Sequence, residues 1–235
     1  MKLTFASYNI HKGVGIDGRH DADRIVRVLH ELDADVVALQ EADQRFGPRA
    51  AVIPRDMLIE THWQIVPLAM RAGGMGWHGN SILVKRGIDI VDAAPITLPS
   101  LEPRGAVHAR LSKEGCEFDV VGMHLDLSGL LRRRQIATVC GVLAHGNAPA
   151  VILGDLNEWS PRGGALRSFG QGWEVLTPGR SFPASRPLAP LDRIVHSPHW
   201  RCAGCEVHRS ALAVAASDHL PVRAELELAD CEMRA

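Results

Sequence analysis

Ala150-Val151-Ile152-Leu153-Gly154-Asp155-Leu156-Asn157 is the stretch whose reading decides the fold. Its first four residues are a continuous apolar run, short enough for a buried strand and too short for a helix. The run stops at a glycine, which lets the chain turn tightly. Asp155 and Asn157 follow two residues apart, and in extended backbone such residues share a face. Two polar side chains aimed together from the tip of a buried strand serve no purpose in an ordinary core.

Five more segments repeat the pattern of an apolar strand tipped with polar groups. A strand over Leu3 to Ile10 carries Ser7-Tyr8-Asn9-Ile10-His11. A buried run from Val36 to Leu39 leads into Gln40-Glu41. A strand from Glu117 to Met123 ends in His124-Leu125-Asp126. Leu191-Asp192-Arg193-Ile194 opens a strand that runs to Val195. Ser217-Asp218-His219-Leu220-Pro221 precedes a strand over Val222 to Leu228. Each alone has a plain explanation, since a strand end can be solvated and Ser-Asp-His can be a turn or a cap. The weight lies in six such segments in a single chain.

Between them, Asp21 to Asp33 places Ile25, Val28, Leu29 and Leu32 at helical spacing, and Leu130 to His145 does so with Ile136, Val139, Cys140 and Leu143. Asn80 to Lys85 and Ala106 to Leu111 read as further strands, and Pro178 to Pro190 as a loop. No repeat or linker interrupts the chain, so one domain over residues 1–235 is the simplest organisation. The mixture of strand–strand and strand–helix connections points to an α/β fold with mixed sheets.

Composition narrows the functional classes. With 46% hydrophobic and 23% charged residues, the chain can bury a core and is not expected to be disordered. A net charge of −1 argues against a tight, non-specific binder of nucleic acid, though not against a local basic patch. Five cysteines, an odd number in a chain of this size, argue against a disulfide framework. Cys202-x-x-Cys205 lacks the second ligand pair of a structural zinc site, although His199 and His208 flank it. No secretory signal or membrane-spanning stretch is evident, which makes the cytoplasm the expected location.

The ordered set from Asn9 to His219 resembles the endonuclease/exonuclease/phosphatase, or DNase I-like, superfamily. Gly154-Asp155-Leu156-Asn157-Glu158-Trp159, Arg180-Ser181-Phe182-Pro183 and Leu191-Asp192-Arg193-Ile194 look most like a group of small bacterial members. The resemblance implies a four-layer α/β/β/α sandwich of two mixed sheets packed face to face, with the site at one edge. It also implies metal-dependent hydrolysis of phosphodiester bonds, assisted by Mg2+ or Mn2+.

Phosphate ester hydrolysis explains the residue types. A hard divalent cation neutralises phosphate oxygens and prefers carboxylate and water ligands. Glu41 looks like the family's metal-anchoring glutamate, with Asn9 beside it and Asp218 as a second carboxylate. Asp155 is expected to orient the attacking water, and Asn157 to donate to a phosphoryl oxygen. His219 titrates near working pH and is the expected proton acceptor. Asp192 resembles the carboxylate that orients this histidine, and His124 adds a second imidazole. Asn80, Arg104, Arg193 and Trp159 are candidate substrate contacts, each with a structural alternative: turn former, solvated arginine, surface arginine and packing residue. The Arg132-Arg133-Arg134 run is either a solvated face or a phosphate-steering element.

Three departures bear on substrate and metal number. His11 stands where some relatives carry an acid, which weakens the case for a second metal. Leu191, not cysteine, precedes Asp192, unlike the inositol-phosphate phosphatases. Arg193 stands where the DNA-repair branch has an aromatic residue. The expected partner is a phosphodiester substrate, either nucleic acid or a phospholipid head group, with no stable protein partner implied. A metal-dependent phosphomonoesterase is the alternative. A non-catalytic phosphate-binding protein would have lost some of these polar residues, and none is lost.

Overall fold

The computed structural model describes residues 1–44, 50–68, 73–100, 104–146 and 148–228. Among these residues, twelve strands fall in two six-stranded sheets. The first holds β1 (Lys2–Asn9), β2 (Val36–Gln40), β3 (Trp63–Ile65), β4 (Ser81–Lys85), β11 (Trp200–Val207) and β12 (Val222–Leu228), in the order β11-β12-β1-β2-β4-β3. The second holds β5 (Asp89–Ile96), β6 (Ala106–Lys113), β7 (Cys116–His124), β8 (Ala150–Asp155), β9 (Glu174–Leu176) and β10 (Asp192–His196), in the order β5-β6-β7-β8-β10-β9.

The two sheets follow one plan. Each has a central parallel pair, β1 with β2 and β7 with β8, and every other pairing is antiparallel. A parallel neighbour requires a crossover, and α1 (Ala22–Leu32) and α3 (Gly129–Ala144) supply the two. Among the described residues there are also two short α-helices, α2 (Arg55–Ile59) and α4 (Ala211–Ala216).

Strand alternation sorts the apolar side chains into three cores. Phe5, Ala38, Ile82, Val107, Phe118, Val151, Leu153 and Ile194 meet between the sheets. There Phe5, Phe118 and Trp200 pack edge to face at centroid distances of 5.4–6.2 Å. Ala6, Tyr8, Val37 and Leu39 point the other way, onto Ile25, Val28 and Leu29 of α1 and Ala213 of α4. Val121, Met123, Ile152 and Val195 do the same onto Ile136, Val139 and Leu143 of α3. Three cores separate four layers, the α/β/β/α sandwich with mixed sheets that the resemblance implies.

Local chemistry sets the helix ends. Asp21 accepts the Arg24 N–H at 3.0 Å as the N-cap of α1, and Asp33 closes the helix in the left-handed conformation. Gly154 acts differently from its expected role as a turn. It lies inside β8, where a Cβ would come within 2.0 Å of the Met123 carbonyl oxygen, so glycine is needed for the close approach of β7.

Cys202 and Cys205 lie on the edge strand β11 as free thiols. His199 and His208 do not join them: His199 contacts Ser197, and His208 pairs with Glu31. Cys116 is disulfide-bonded, a bridge the sequence reading did not expect, while Cys140, Cys202 and Cys205 are free among the described residues. Among the described residues, no helix is long and apolar enough to cross a membrane.

Candidate active site

Strand direction brings the polar tips together. Asn9, Glu41, His124 and Asp155 lie at the carboxyl ends of the two parallel pairs. β4, β10 and β12 run antiparallel to those pairs, so Asn80, Asp192 and His219 at their amino ends reach the same edge. The register is direct in the second sheet, where Asp155 stands opposite both His124 and Asp192.

Asp155 is the hub. Its Oδ2 accepts the Asn9 amide N–H across the two sheets at 3.1 Å and lies 3.3 Å from His124 Nε2 and 3.7 Å from His219 Nε2. Its Oδ1 accepts the Asn157 backbone N–H at 2.9 Å. Burial works to raise the pKa of this carboxyl, but the His219 and His124 charges, with the bonds from His124 and Asn157, hold it far below the usual carboxylate range. Asp155 is therefore an ionised acceptor, buried but not neutral.

Behind it, His219 Nδ1 lies 2.9 Å from Asp192 Oδ2, which also accepts the Ser181 hydroxyl at 2.5 Å. The Phe182 ring packs on the imidazole at 4.7 Å. The Ser217 hydroxyl donates to the Asn9 carbonyl and accepts the His219 N–H, tying the histidine's backbone to the end of β1. Burial works to lower the His219 pKa, yet Asp192 and Asp155 together raise it to about 10. Asp192, Asp155 and His219 bring ligand atoms within 4.8 Å of one another, a spacing that a metal ion could also span. Here His219 Nδ1 and Asp192 Oδ2 already pair with each other at 2.9 Å.

Glu41 lies to one side, with its side chain 23% exposed and its carboxylate bonded to the Lys12 ammonium. Burial would raise its pKa, but the Lys12 hydrogen bond and the charges of His124, Lys12 and His11 keep it below the ordinary value of 4.5. Asn9 Oδ1 accepts the His11 N–H at 3.1 Å, and His11 Nδ1 lies 3.8 Å from Asp218 Oδ1. The oxygens of Glu41, Asp218 and Asn9 are the hard donors that a magnesium-like ion takes, and Glu41 already holds a cationic group. These residues therefore fit a divalent cation better than the imidazole-containing triad does.

A family model described as "Endonuclease/Exonuclease/phosphatase family" matches residues 6–219. The chain belongs to the endonuclease/exonuclease/phosphatase family. It is 26% identical to the uncharacterised protein YbhP of Escherichia coli K12 over 94% of each chain. Among solved structures it resembles the mannosyl-6-phosphatase Bt3783 of Bacteroides thetaiotaomicron VPI-5482, with TM-score 0.75, 18% identity and 96% and 99% of the two chains covered. It also resembles D. rerio TDP2 complexed with a single-strand DNA product, with TM-score 0.73, 15% identity and 96% and 99% covered. At these identities the likeness shows a shared fold. Two neighbours so different in substrate match it about equally well.

The remaining expected residues of this family member divide by position. Asn157 donates to the Leu125 carbonyl at 2.9 Å and holds a left-handed φ of 50°. Arg104 donates to the same carbonyl at 2.9 Å. Asn80 is fully buried; its amide donates to the Gly105 carbonyl at 3.0 Å, and its backbone N–H to Trp77, so it works as a turn former. Trp159 is 62% exposed just beyond Asn157 and has surface to offer a ligand.

Arg193 requires a correction, because it is neither a substrate contact nor a surface residue. It is fully buried, and its guanidinium donates to the carbonyls of Asp192, Glu158 and Ser160. It stands opposite Gly154 in the ladder. In the arginine run, Arg132 is buried against Glu158 at 3.3 Å, while Arg133 and Arg134 are exposed.

Lys12 and Ser181 received no role from the sequence. The Arg180-Ser181-Phe182-Pro183 motif was a usable signal, because its serine and phenylalanine both bear on His219 and Asp192.

Proposed function

We propose that this protein is a Mg2+- or Mn2+-dependent phosphodiesterase. The observation that carries the reading is the convergence on Asp155 Oδ2 of an amide from one sheet and imidazoles from both, with the partly exposed Glu41 alongside. Glu41, Asp218 and Asn9 would hold the cation, which supplies charge neutralisation at the phosphate and the leaving oxygen. Asp155 orients the attacking water through its ionised oxygens. Nε2 of His219 is the atom through which a proton passes between water and protein, with Asp192 and Ser181 fixing the ring. His124 and the Asn157 amide face the phosphoryl oxygens, and Trp159 and Arg104 border the substrate. The substrate is nucleic acid or a phospholipid head group, met in the cytoplasm by a single-domain enzyme. Likeness to a mannosyl-6-phosphatase favours monoester hydrolysis as the second reading.

The deciding test is hydrolysis of bis-p-nitrophenyl phosphate beside the monoester, with Mg2+, Mn2+ or EDTA. The expected outcome is metal-dependent diester cleavage that EDTA abolishes. Turnover of the monoester alone would overturn the diesterase reading and establish the second.

A further inference from the structure

The loop that follows Asn9 has an unusual backbone. His11, Lys12 and Gly13 have φ values of 44°, 55° and 75°, and Glu41, facing Lys12 from the end of β2, has φ 56°. A non-glycine residue in the left-handed region costs on the order of 1 kcal/mol, and such residues persist where the surroundings impose them. Strain therefore sits at both ends of one ion pair, the Lys12 ammonium on the Glu41 carboxylate. The pair is not sealed as a structural bridge would be: its side chains are 29% and 23% exposed. Helix cations offer nothing equivalent here, since Arg24 is committed to Asp17 and Asp21, and Arg132 to Glu158. Lys12 brings a positive charge to an edge where Glu41, Asp155, Asp192 and Asp218 gather four carboxylates.

A lysine ammonium is a point charge on a flexible four-carbon stem and can move without its backbone. A divalent cation arriving at Glu41 repels it. The phosphate that the cation recruits then offers the ammonium a new partner. We propose that Lys12 is a resident counter-ion, displaced from Glu41 by the divalent cation, whose freed ammonium then binds the substrate phosphate. This rests on the metal-dependent reading above. It makes Lys12 a catalytic residue that neutralises Glu41 before the cation binds and does the work a second cation would otherwise do.

Calorimetric titration of Mn2+ into the wild type, Lys12→Met, Lys12→Arg and Glu41→Gln tests the first half. Titration of inorganic phosphate at saturating Mn2+ tests the second. Lys12→Met is expected to bind Mn2+ about tenfold more tightly and phosphate about tenfold more weakly, because a like charge leaves one partner and a counter-charge leaves the other. Lys12→Arg, which keeps the charge, is expected to stay near wild type in both. Unchanged or weaker Mn2+ binding by Lys12→Met, with binding lost in Glu41→Gln, overturns the Lys12 proposal alone. Unchanged phosphate affinity in Lys12→Met overturns the phosphate contact. Mn2+ binding that survives Glu41→Gln overturns this proposal and the metal assignment together.

Discussion

Asp119 and Asp155 are buried aspartates on neighbouring parallel strands of one sheet, near opposite ends, and they are held in different ways. Asp119, on β7, takes Arg110 Nε and Nη2 at 3.0 and 3.1 Å on its two oxygens and His108 Nε2 at 2.8 Å. These partners come from the adjacent strand β6, one of them is permanently charged, and the arrangement is closed. Asp155 receives an amide, two titratable rings and a backbone N–H drawn from both sheets. Both carboxyls lie below the ordinary value once burial has been offset. A guanidinium fork holds the charge at one end for structure, and polar groups that can rearrange hold it at the other. The difference separates a carboxylate that supports the fold from one that can act on a ligand.

Exchanging the two losses is the strongest way to break this contrast. Asp155→Ala is expected to lower turnover by about 10³-fold or more, within the range for lost proton transfer and electrostatic positioning, with little change in melting temperature. Asp119→Ala is expected to leave turnover within about threefold while costing about 2–3 kcal/mol, since it strands Arg110 and His108, both partly solvated. Turnover beside urea denaturation for each variant gives the answer. Equal catalytic losses would erase the distinction.

Acid sharpens the contrast at the structural end. The Asp119 pKa is depressed in the folded state: burial opposes ionisation, but His108 and Arg110 outweigh it. A depressed carboxylate contributes stability above its unfolded pKa, near 3.8, and loses it as pH falls through the folded value. The stability gap between wild type and Asp119→Asn is therefore expected to be full at pH 7 and to close below about pH 4. Urea midpoints at several acid pH values measure it, and a gap that is flat with pH removes the charge explanation.

The smallest expected effect lies at the rim. Trp159→Ala should leave the melting temperature unchanged and raise KM for a preferred aromatic diester a few-fold, since one stacking contact is worth about 1 kcal/mol. Steady-state kinetics read this directly, and an unchanged KM would make Trp159 a bystander.

How much the sequence disclosed follows the same division between local and long-range causes. The central strands β2 and β8 were legible because both faces are buried and their apolar runs are continuous, and β1 was legible from its alternation. α1 and α3 were legible from their stripes. β5 and β11 were not, since as sheet edges they leave most of their side chains in water and the alternation disappears. β3, β9 and α2 are too short to establish a period. At the site, polar residues at strand tips stood out against apolar runs. Lys12, Ser181 and the burial of Arg193 did not, because their partners lie 29, 11 and up to 35 residues away and only the folded register joins them.

The Asn9–Asp155 bond runs from the end of one sheet to the end of the other, and the His219–Asp192 bond does so again. Two rigid plates meet across an apolar seam that resists separation far better than sliding, and these two polar latches mark their alignment like the scales of a vernier. A slip of an ångström along the seam would part Asn9 from Asp155 and His219 from Asp192. Activity in this molecule thus reports the relative position of the two sheets, and it should fade under mild denaturant before the spectroscopic signature of either sheet begins to change.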